Sequence, residues 1–284
     1  MKHKLLLFVS VALAFPIAWG QVQYNTPRAY NSRSYGCSQQ YLDYFHEFST
    51  LYRGGNCSAW YPYMDCCYLM RLFPYVSSGV YKIGDPCVHN SFTLNPYSLR
   101  MHTKCDMFTA GGGWTVIMQR NISGGNSSVD FSSRSWGDYE GGFGSFYGDF
   151  WFGLANLRCI TQRETYELRV ELTFADGSSG DITYPLFRVD TLPNGYKFSI
   201  GDAIGNATAS DALGPLSNSP FQTSDFLRSS ACKDKIEGGF WVPGNGACNI
   251  RTNLHASVAK WMDKDVYSSS MMIRAIRCAS IRDC

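Results

Sequence analysis

The sequence predicts an α+β fold that is loop-rich, built on an antiparallel sheet and braced by disulfides. Short strand-like segments separated by Gly-rich turns are typical of such a sheet. Only 17% of the 284 residues are charged and 45% are hydrophobic, so the chain is long and apolar enough to bury a substantial core. The 11 cysteines are many for a cytosolic protein and suit an oxidising compartment, where disulfides form.

Residues 1–20 have the pattern of a secretory signal peptide. Lys2 and Lys4 precede an apolar run at 5–15, and Ala18 and Gly20 are the small residues of a cleavage site. An apolar run of about 11 residues is far shorter than the roughly 20 that span a bilayer, which argues against a membrane anchor. We therefore expect a secreted, extracellular protein with no membrane span, formally neutral once Lys2 and Lys4 are removed.

Residues 21–64 are predicted to be an N-terminal leader with one short helix. Ser38 could cap a helix that runs to about Leu51, with apolar residues every three positions. Neither a heptad pattern nor a G-X-Y repeat is present, so no coiled-coil or collagen stalk is expected. Cys37 and Cys57 bracket the helix and could bond to each other or to another chain.

The main domain is predicted to span 65–278, followed by a C-terminal tail at 279–284. From about 65 onward the texture is that of short strands and turns. Alternating apolar and polar side chains at 166–174 indicate a half-buried strand, and 176–180 forms a turn. The segment 192–195 is a hairpin signal between strands at 182–189 and 196–200. Further strands are predicted at 113–119 and 271–277.

The stretch between Asn121 and Gly148 is predicted to be a long loop, because it consists mostly of Gly, Ser, Asp and aromatic residues. Its aromatic side chains are expected to pin it to the core. They are Phe131, Trp136, Tyr139, Phe143 and Phe146.

Catalytic motifs are not found in the sequence, so no enzyme is predicted. The histidines after the signal peptide have no metal-binding spacing, and no GxSxG elbow occurs. The Gly-rich segment 142–148 has one residue too many for a dinucleotide loop and lacks the flanking strand and helix. A formal net charge of +2 gives no reason to expect a nucleic-acid partner.

The cysteines and glycosylation sequons are those of a secreted protein. No pair of CxxC motifs indicates zinc. Cys66 and Cys67 are neighbours in sequence, which rarely bond each other, so each is expected to have a separate partner or one to be free. The sequence has four sequons that could carry N-linked glycans. They begin at Asn56, Asn121, Asn126 and Asn206.

The segment 105–120 (CDMFTAGGGWTVIMQR) resembles the opening motif of the fibrinogen C-terminal domain family. More matches follow in the order of that family, and together they cover about 65–278. They include 65–66, 78–81, 128–131, 142–144, 148–151, 167–170, 211–213, 221–223, 239–241, 253–254 and 272–274. The resemblance implies a non-enzymatic, globular extracellular recognition domain of the kind found in ficolins, tachylectins, angiopoietin-like ligands and fibrinogen chains.

The resemblance implies two disulfides, Cys66–Cys105 and Cys232–Cys248. Seven cysteines remain, an odd number, so at least one thiol is expected to be free or bonded to another chain. With Cys37 and Cys57 in the leader, this predicts a disulfide-linked homo-oligomer.

The calcium site of the family is expected to be lost and no cofactor is predicted. The corresponding loop is 221–232, in which Asp225 keeps the first acidic position. The positions that would supply further carboxylates hold Leu227 and Ser229, and Arg228 adds a positive charge. Calcium requires several hard oxygen ligands with enough negative charge.

The ligand pocket of the lectin branch is implied to lie between this loop and the segment around Cys248. Candidate ligand contacts are Phe240, Trp241, Asn249, His255 and Trp261. Asn249, His255 and Ala256 depart from the residues that are common in the family, so the location of the pocket is expected to carry over but its specificity is not. Core packing is an equal alternative for Trp241, because Trp is seldom fully exposed.

The resulting interpretation is a secreted, lectin-like recognition protein that binds glycans or acetylated groups on cells or microbes, in an innate-immune or cell-surface role. An extracellular signalling ligand for a protein receptor is the first alternative. A matrix or adhesion component is the second.

Overall fold

The computed structural model describes residues 65–84, 100–122, 129–204, 208–228, 232, 234–243, 248 and 250–279. The predicted signal peptide, the predicted leader with its helix, and residues 280–284 lie outside the described residues. The helices are α1 Cys66–Leu72, α2 Trp136–Gly141, α3 Leu154–Thr161 and α4 Ile276–Ala279. The first strands are β1 Gly79–Gly84, β2 Arg100–Asp106, β3 Trp114–Asn121, β4 Phe143–Gly144, β5 Phe150–Trp151 and β6 Tyr166–Phe174. The later strands are β7 Ser179–Val189, β8 Phe198–Ile200, β9 Phe221–Thr223, β10 Gly239–Trp241, β11 Lys260–Trp261 and β12 Lys264–Ala275.

One large antiparallel sheet organises the domain, as predicted. Its strand order is β1-β2-β3-β12-β6-β7-β8, and β12, the last strand in sequence, lies between β3 and β6. The central strand therefore pairs only after most of the chain has been made, which is a long-range, non-local topology. β9 and β10 form a separate two-stranded sheet.

The alternating segment forms β6 with the predicted bounds. Tyr166, Leu168, Val170, Leu172 and Phe174 are buried against the core. Most of the intervening side chains are partly exposed, but one is not. Glu167 is 6% exposed because it lies directly opposite Arg274 of β12, and its Oε1 is 2.6 Å from the Arg274 Nη2.

Asp65 begins the domain with a helix, where the sequence predicts strands and turns. Its carboxylate accepts a hydrogen bond from the Tyr68 backbone N–H at 2.7 Å and so caps α1. The same carboxylate accepts from the Tyr166 hydroxyl at 2.8 Å and pairs with Arg277 at 3.1 Å. One buried acidic side chain thus ties the first helix to β6 and to α4.

The predicted loop between 121 and 148 contains a helix and a short strand, which corrects that prediction. Ser135 and Asp138 form a reciprocal capping box that starts α2, and β4 follows at Phe143–Gly144. Among the aromatic residues expected to pin the segment, Phe131 and Tyr139 are buried. Trp136, Phe143 and Phe146 are half-buried against the same core.

Two further differences from the predictions concern the length of the last strand and the presence of an additional helix. The late strand was predicted at 271–277 but runs from Lys264 to Ala275, and Arg277 lies in α4. The prediction began too late because three serines at 268–270 interrupt the apolar pattern, although they continue the ladder. α3 was not predicted, although Leu154, Leu157 and Ile160 recur at helical spacing and are buried.

Three disulfides brace the described residues. Cys66–Cys105 and Cys232–Cys248 are the two pairs that the resemblance implies. The third joins Cys67 to Cys278 over 211 residues. The neighbours Cys66 and Cys67 therefore have separate partners, the first of the two outcomes allowed by the sequence. Cys159 is also disulfide-bonded.

Candidate functional site

The candidate site lies at the end of the domain that contains β9 and β10. The two strands pair with Phe240 opposite Gln222 and Trp241 opposite Phe221. The Gln222 side chain donates to the Val242 carbonyl oxygen at 3.0 Å and accepts from the Arg228 backbone N–H at 2.8 Å. The predicted calcium-loop segment is therefore fixed to Val242, which lies inside the loop that the Cys232–Cys248 disulfide closes.

The described residues among the candidate ligand contacts are buried. Phe240 and His255 are 0% exposed, and Trp241 and Trp261 are 1% exposed. The Trp241 indole N–H donates to the Tyr196 carbonyl oxygen at 2.9 Å, and that of Trp261 to the Ser210 carbonyl oxygen at 2.8 Å. These side chains support the site from below rather than offering open aromatic faces, and their contact with a ligand stays a prediction. Asn249 lies outside the described residues.

His255 lies inside an aromatic cluster. Its ring centroid is 5.0 Å from that of Trp151 and 5.3 Å from that of Tyr139. Its Nδ1 lies 2.6 Å from the Gly239 carbonyl oxygen, which requires the proton to be on Nδ1. Burial, with a smaller contribution from the positive charge of Arg120, lowers the pKa of His255 to about 3, so the ring is neutral at physiological pH.

Arg120 holds the chain segment that carries His255. This β3 side chain is 3% exposed, and its Nη1 donates to the carbonyl oxygens of Leu254 at 2.7 Å and Ala256 at 2.6 Å. Its guanidinium also lies over the Phe131 ring at 5.2 Å. Gly238 permits this packing, because its φ is +65° and a Cβ there would lie 2.8 Å from the His255 carbonyl oxygen.

A cleft of about 140 Å³ opens beside this cluster. Trp241 is one of its lining residues although it is almost fully buried, so it forms part of the floor. The other lining residues are Asp211, Ala212, Pro215, Leu216, Val242, Pro243, Ile250, Arg251, Thr252 and Met262. The cleft thus lies on the segments before and after Cys248, one of the two sides of the implied ligand pocket, whereas its other wall comes from 211–216 and not from the 221–232 loop. Among the described candidate contacts, Trp241 is the one that lines this cleft, and its contact with a ligand stays a prediction.

The walls of the cleft are held by short, specific contacts. Thr252 accepts a hydrogen bond from the Met262 backbone N–H at 3.0 Å. Arg251 pairs with Asp263 at 2.6 Å, and both side chains are more than half exposed. Asp211 accepts from the Tyr184 hydroxyl at 2.8 Å and from the Gly214 backbone N–H at 2.7 Å. Arg251 and Thr252 lie three and four residues after Cys248 in the sequence, and this closeness could have predicted that they line the cleft.

The turn between β11 and β12 has a strained backbone at the cleft. Met262 and Asp263 have φ values of +48° and +69°, as a two-residue turn of type I′ requires. This turn favours Gly, Asn or Asp, so a methionine at its first position is unfavourable by itself. The result is that an apolar Met262 side chain lines the cleft at a position where Gly, Asn or Asp would be expected.

A second exposed feature lies on the calcium-loop segment. Asp225 does not stand free there, because its carboxylate accepts from the Trp136 backbone N–H at 3.0 and 3.1 Å. The Trp136 ring packs against Phe226 with centroids 4.2 Å apart, and Arg228 lies 5.8 Å from the Phe226 ring centroid. Phe226 is 38% exposed. We call Trp136, Phe226 and Arg228 the aromatic patch.

No group of three or more His, Cys, Asp or Glu side chains that could hold a metal ion is found among the described residues. Within the same residues, no helix is long and apolar enough to cross a membrane. Of the four sequon asparagines, Asn121 is described and is exposed at the end of β3. Asn56, Asn126 and Asn206 lie outside the described residues.

The chain belongs to the family of the C-terminal globular domain of fibrinogen beta and gamma chains, whose model matches residues 77–270. Tenascin-R of Homo sapiens is 37% identical over 182 residues, which is 63% of this chain and 12% of tenascin-R. Angiopoietin-4 of Bos taurus is 32% identical over 66% of this chain and 35% of its own length. Ficolin-3 of Homo sapiens is 36% identical over 55% of this chain and 50% of its own length.

Solved structures show the same fold. The fibrinogen-like globe domain of human ANGPTL2 superposes with a TM-score of 0.63 at 25% identity, over 75% of this chain and 99% of that domain. The lamprey fibrin D-dimer in complex with a Gly-His-Arg-Pro-amide peptide has a TM-score of 0.56 at 18% identity. It covers 74% of this chain and 72% of the lamprey chain. The chain spans half or less of the length of the three relatives described, so the similarity concerns this domain and not their whole architecture.

Proposed function

We propose that this is a secreted recognition protein that binds acetylated glycans through the cleft floored by Trp241. The observation that carries the proposal is the position and lining of that cleft. It lies on both sides of Cys248 and is lined mainly by apolar side chains, with Asp211 and Arg251 as charged lining residues. An apolar recess with a few convergent polar groups is the usual form of a small-ligand site.

The size of the cleft favours a small substituent over a whole sugar ring. Its volume of about 140 Å³ is well below the 300–1,000 Å³ that is usual for sites enclosing a drug-sized ligand. A water molecule occupies about 30 Å³ in the liquid, so the cleft has room for a group of a few heavy atoms. An acetyl methyl would contact Met262 and the floor, and exposed Arg251 can donate to sugar or amide oxygens outside the cleft.

Binding rather than catalysis is supported by the state of His255. A histidine that is fully buried, neutral and aimed at a backbone carbonyl lacks access to a substrate proton. Three disulfides among the described residues support an oxidising, extracellular location, in agreement with the predicted signal peptide.

Clustering would give this weak single site a useful affinity. A shallow cleft with few polar contacts binds weakly, whereas linked copies gain avidity without new contacts. Cys37 and Cys57, which lie outside the described residues, are the proposed links between chains. Migration as a monomer on a non-reducing gel would reject this part of the proposal.

The test is an array of paired glycans that differ only in acetylation, probed with the secreted oligomer with and without a chelator. Binding is expected to acetylated members alone and to be unaffected by the chelator. Leu216→Trp should fill the cleft and abolish binding, and Arg251→Ala should weaken it about tenfold, the effect of losing one charged hydrogen bond. Arg228→Ala is the matched control, since it removes an exposed arginine from the aromatic patch. Equal binding of acetylated and deacetylated partners would contradict the proposal.

A protein-receptor ligand is the second candidate, and the aromatic patch favours it. Tryptophan and arginine dominate the binding energy of protein interfaces, and Phe226 offers an exposed apolar contact beside them. In that case Phe226→Ser should reduce binding to receptor-bearing cells at least tenfold, while Arg251→Ala leaves it unchanged. The two variants therefore separate the two functions.

A further inference from the structure

A polar surface covers part of the large sheet on strands β3, β12, β6 and β7. Directly paired positions bring its side chains into two rows, which we call the polar platform. The first row is Asn121, Ser268, Thr173 and Ser179. The second row is Gln119, Ser270, Glu171 and Asp181. At about 4.8 Å between neighbouring strands, each row extends about 14 Å across the sheet.

A groove of about 350 Å³ lies on this platform, more than twice the volume of the cleft. Arg169 lies in it between two carboxylates, at 2.9 Å from Glu171 and 2.8 Å from Asp181. Thr208 adds a hydroxyl that accepts from the Asp181 backbone N–H at 2.8 Å. Apart from Leu172 and Gly180, the lining residues therefore present hydroxyl, carboxylate and guanidinium groups, and none of the described residues that form the groove is aromatic.

Asn121 stands at one end of the first row. It is exposed and directly opposite Ser268, one of the lining residues of the groove. Directly opposite residues of an antiparallel pair share a face of the sheet, so Asn121 belongs to the face that carries the groove. In the sequence Asn121-Ile122-Ser123 it is also the acceptor of an N-glycosylation sequon.

We propose that an N-linked glycan on Asn121 lies in this groove and is held by the polar platform. A chain of sugar rings carries the hydroxyls and ring oxygens that match this array of donors and acceptors. Covalent attachment at the end of the row makes each contact intramolecular, with an effective concentration in the millimolar range even for a flexible link. Weak hydrogen bonds that would not capture a free ligand are then sufficient.

A free saccharide and a protein strand fit the groove less well. Sugars taken from solution need apolar stacking surfaces as well as hydrogen bonds, and the lining supplies none of the aromatic kind. Strand addition requires an unpaired sheet edge, whereas β12 and β6 are each paired on both sides. The tethered glycan is the occupant that the position of Asn121 favours.

The test uses full-length protein secreted from mammalian cells. Glycopeptide mass spectrometry should find Asn121 occupied. Peptide-N-glycosidase F applied to the native protein should release the Asn121 glycan about tenfold more slowly than glycans at the other occupied sequons, because release requires it to leave the groove. After denaturation the rates should become equal.

Slow release at Asn121 could result from a glycan bound in the groove or from poor access of the enzyme to Asn121 itself. Variants of the polar platform distinguish these two causes. Ser270→Tyr fills the middle of the groove and should bring the native release rate at Asn121 up to that of the other sites. Ser199→Tyr, the same change on β8 away from the groove, should leave it slow. Glu171→Gln keeps the shape of the groove and should give an intermediate rate, in case Ser270→Tyr fails to fold.

An unoccupied Asn121 would overturn the proposal, as would an occupied one that is released at the same rate in all variants. A third outcome would also overturn the proposal. In that outcome the Asn121 glycan is not released slowly, and a free oligosaccharide added to the deglycosylated protein shifts the backbone amide NMR resonances of Ser268 and Ser270. The groove would then be assigned to a dissolved ligand. None of these outcomes depends on the acetyl cleft, because the two sites share no lining residue.

Discussion

The two ends of the domain are held together by different means. At the first end, which we call the braced end, α1 is joined to β2 by Cys66–Cys105 and to α4, which directly follows β12, by Cys67–Cys278, over 39 and 211 residues. At the second, the cleft end, Cys232–Cys248 closes a separation of only 16 residues. There, aromatic packing and hydrogen bonds to backbone groups position the loops. Long-range covalent links thus fix the frame, while short-range contacts shape the surface that is available for recognition.

Buried charge follows the same division. Arg274 and Glu167 at the braced end are 3% and 6% exposed, and the Arg274 guanidinium also lies 4.1 Å from the Trp114 ring centroid. At the cleft end, the ion pair of Arg251 and Asp263 is more than half exposed. A charge removed from water must keep its partners, whereas an exposed one is free to change them. An exposed, exchangeable pair is what a ligand-binding rim requires.

The largest expected effect separates the disulfides of the two ends. Replacing Cys67 and Cys278 by serine should cost about 5 kcal/mol of unfolding free energy, and replacing Cys232 and Cys248 about 3 kcal/mol, from the chain entropy of the two separations. Urea unfolding of the two double variants measures the difference. A larger loss of unfolding free energy on removing Cys232–Cys248 than on removing Cys67–Cys278 would contradict the comparison.

The second effect concerns the two ion pairs. Arg274→Met leaves the buried Glu167 unpaired and should cost about 4 kcal/mol. Arg251→Met, the same change at the exposed pair, should cost less than about 1 kcal/mol. Chemical denaturation of both variants is the measurement, and similar losses would show that the two ends do not differ in this respect.

The third effect is a pH dependence that originates at the cleft end. The pKa of His255 is lowered in the folded protein from 6.5 to about 3, so the unfolded chain binds an extra proton between these values. This contribution to stability is complete above pH 6.5 and is lost as the pH falls toward 3, with a slope of at most about 1.4 kcal/mol per pH unit.

His255→Gln should remove this part of the slope. The difference between the pH profiles of wild type and variant isolates the histidine from the carboxylates, which also titrate in acid. Parallel profiles would mean that the ring is not buried and neutral in the folded protein.

The smallest effect concerns Asp225 and the predicted absence of calcium binding. Asp225→Ala removes the acceptor for the Trp136 backbone N–H and should cost about 1 kcal/mol. Millimolar calcium should leave the melting temperature of both proteins unchanged. Micromolar calcium binding by calorimetry that disappears in Asp225→Ala would contradict the prediction.

Local patterns made much of the regular secondary structure predictable. The alternation at 166–174 fixed both the bounds and the buried face of β6, and the turn at 192–195 joined the predicted strands. α2 could also have been predicted, because Ser135 and Asp138 have the spacing of a capping box. The length of β12 could not have been predicted in this way. Ser268 and Ser270 face outward and Ser269 faces inward, and these serines continue the strand through backbone pairing with β3.

The cleft end was less predictable because the type of a side chain does not show whether it is buried or exposed at the surface. Phe240, His255 and Trp261 have the composition of a binding wall, yet all three are buried. Met262 was missed because its role depends on a positive φ that the sequence does not indicate. Among the described candidate contacts, Trp241 is the one that lines the cleft, and it lies inside the loop that Cys232 and Cys248 close.

Fluorine NMR of protein labelled with 5-fluorotryptophan tests the central claim, that the cleft floored by Trp241 binds an acetyl group. Trp241→Phe assigns the resonance of that ring. Addition of N-acetylglucosamine should shift the Trp241 resonance saturably, and glucosamine should not. A Trp241 resonance that stays constant under both sugars while the Trp136 resonance moves would contradict the claim and assign recognition to the aromatic patch.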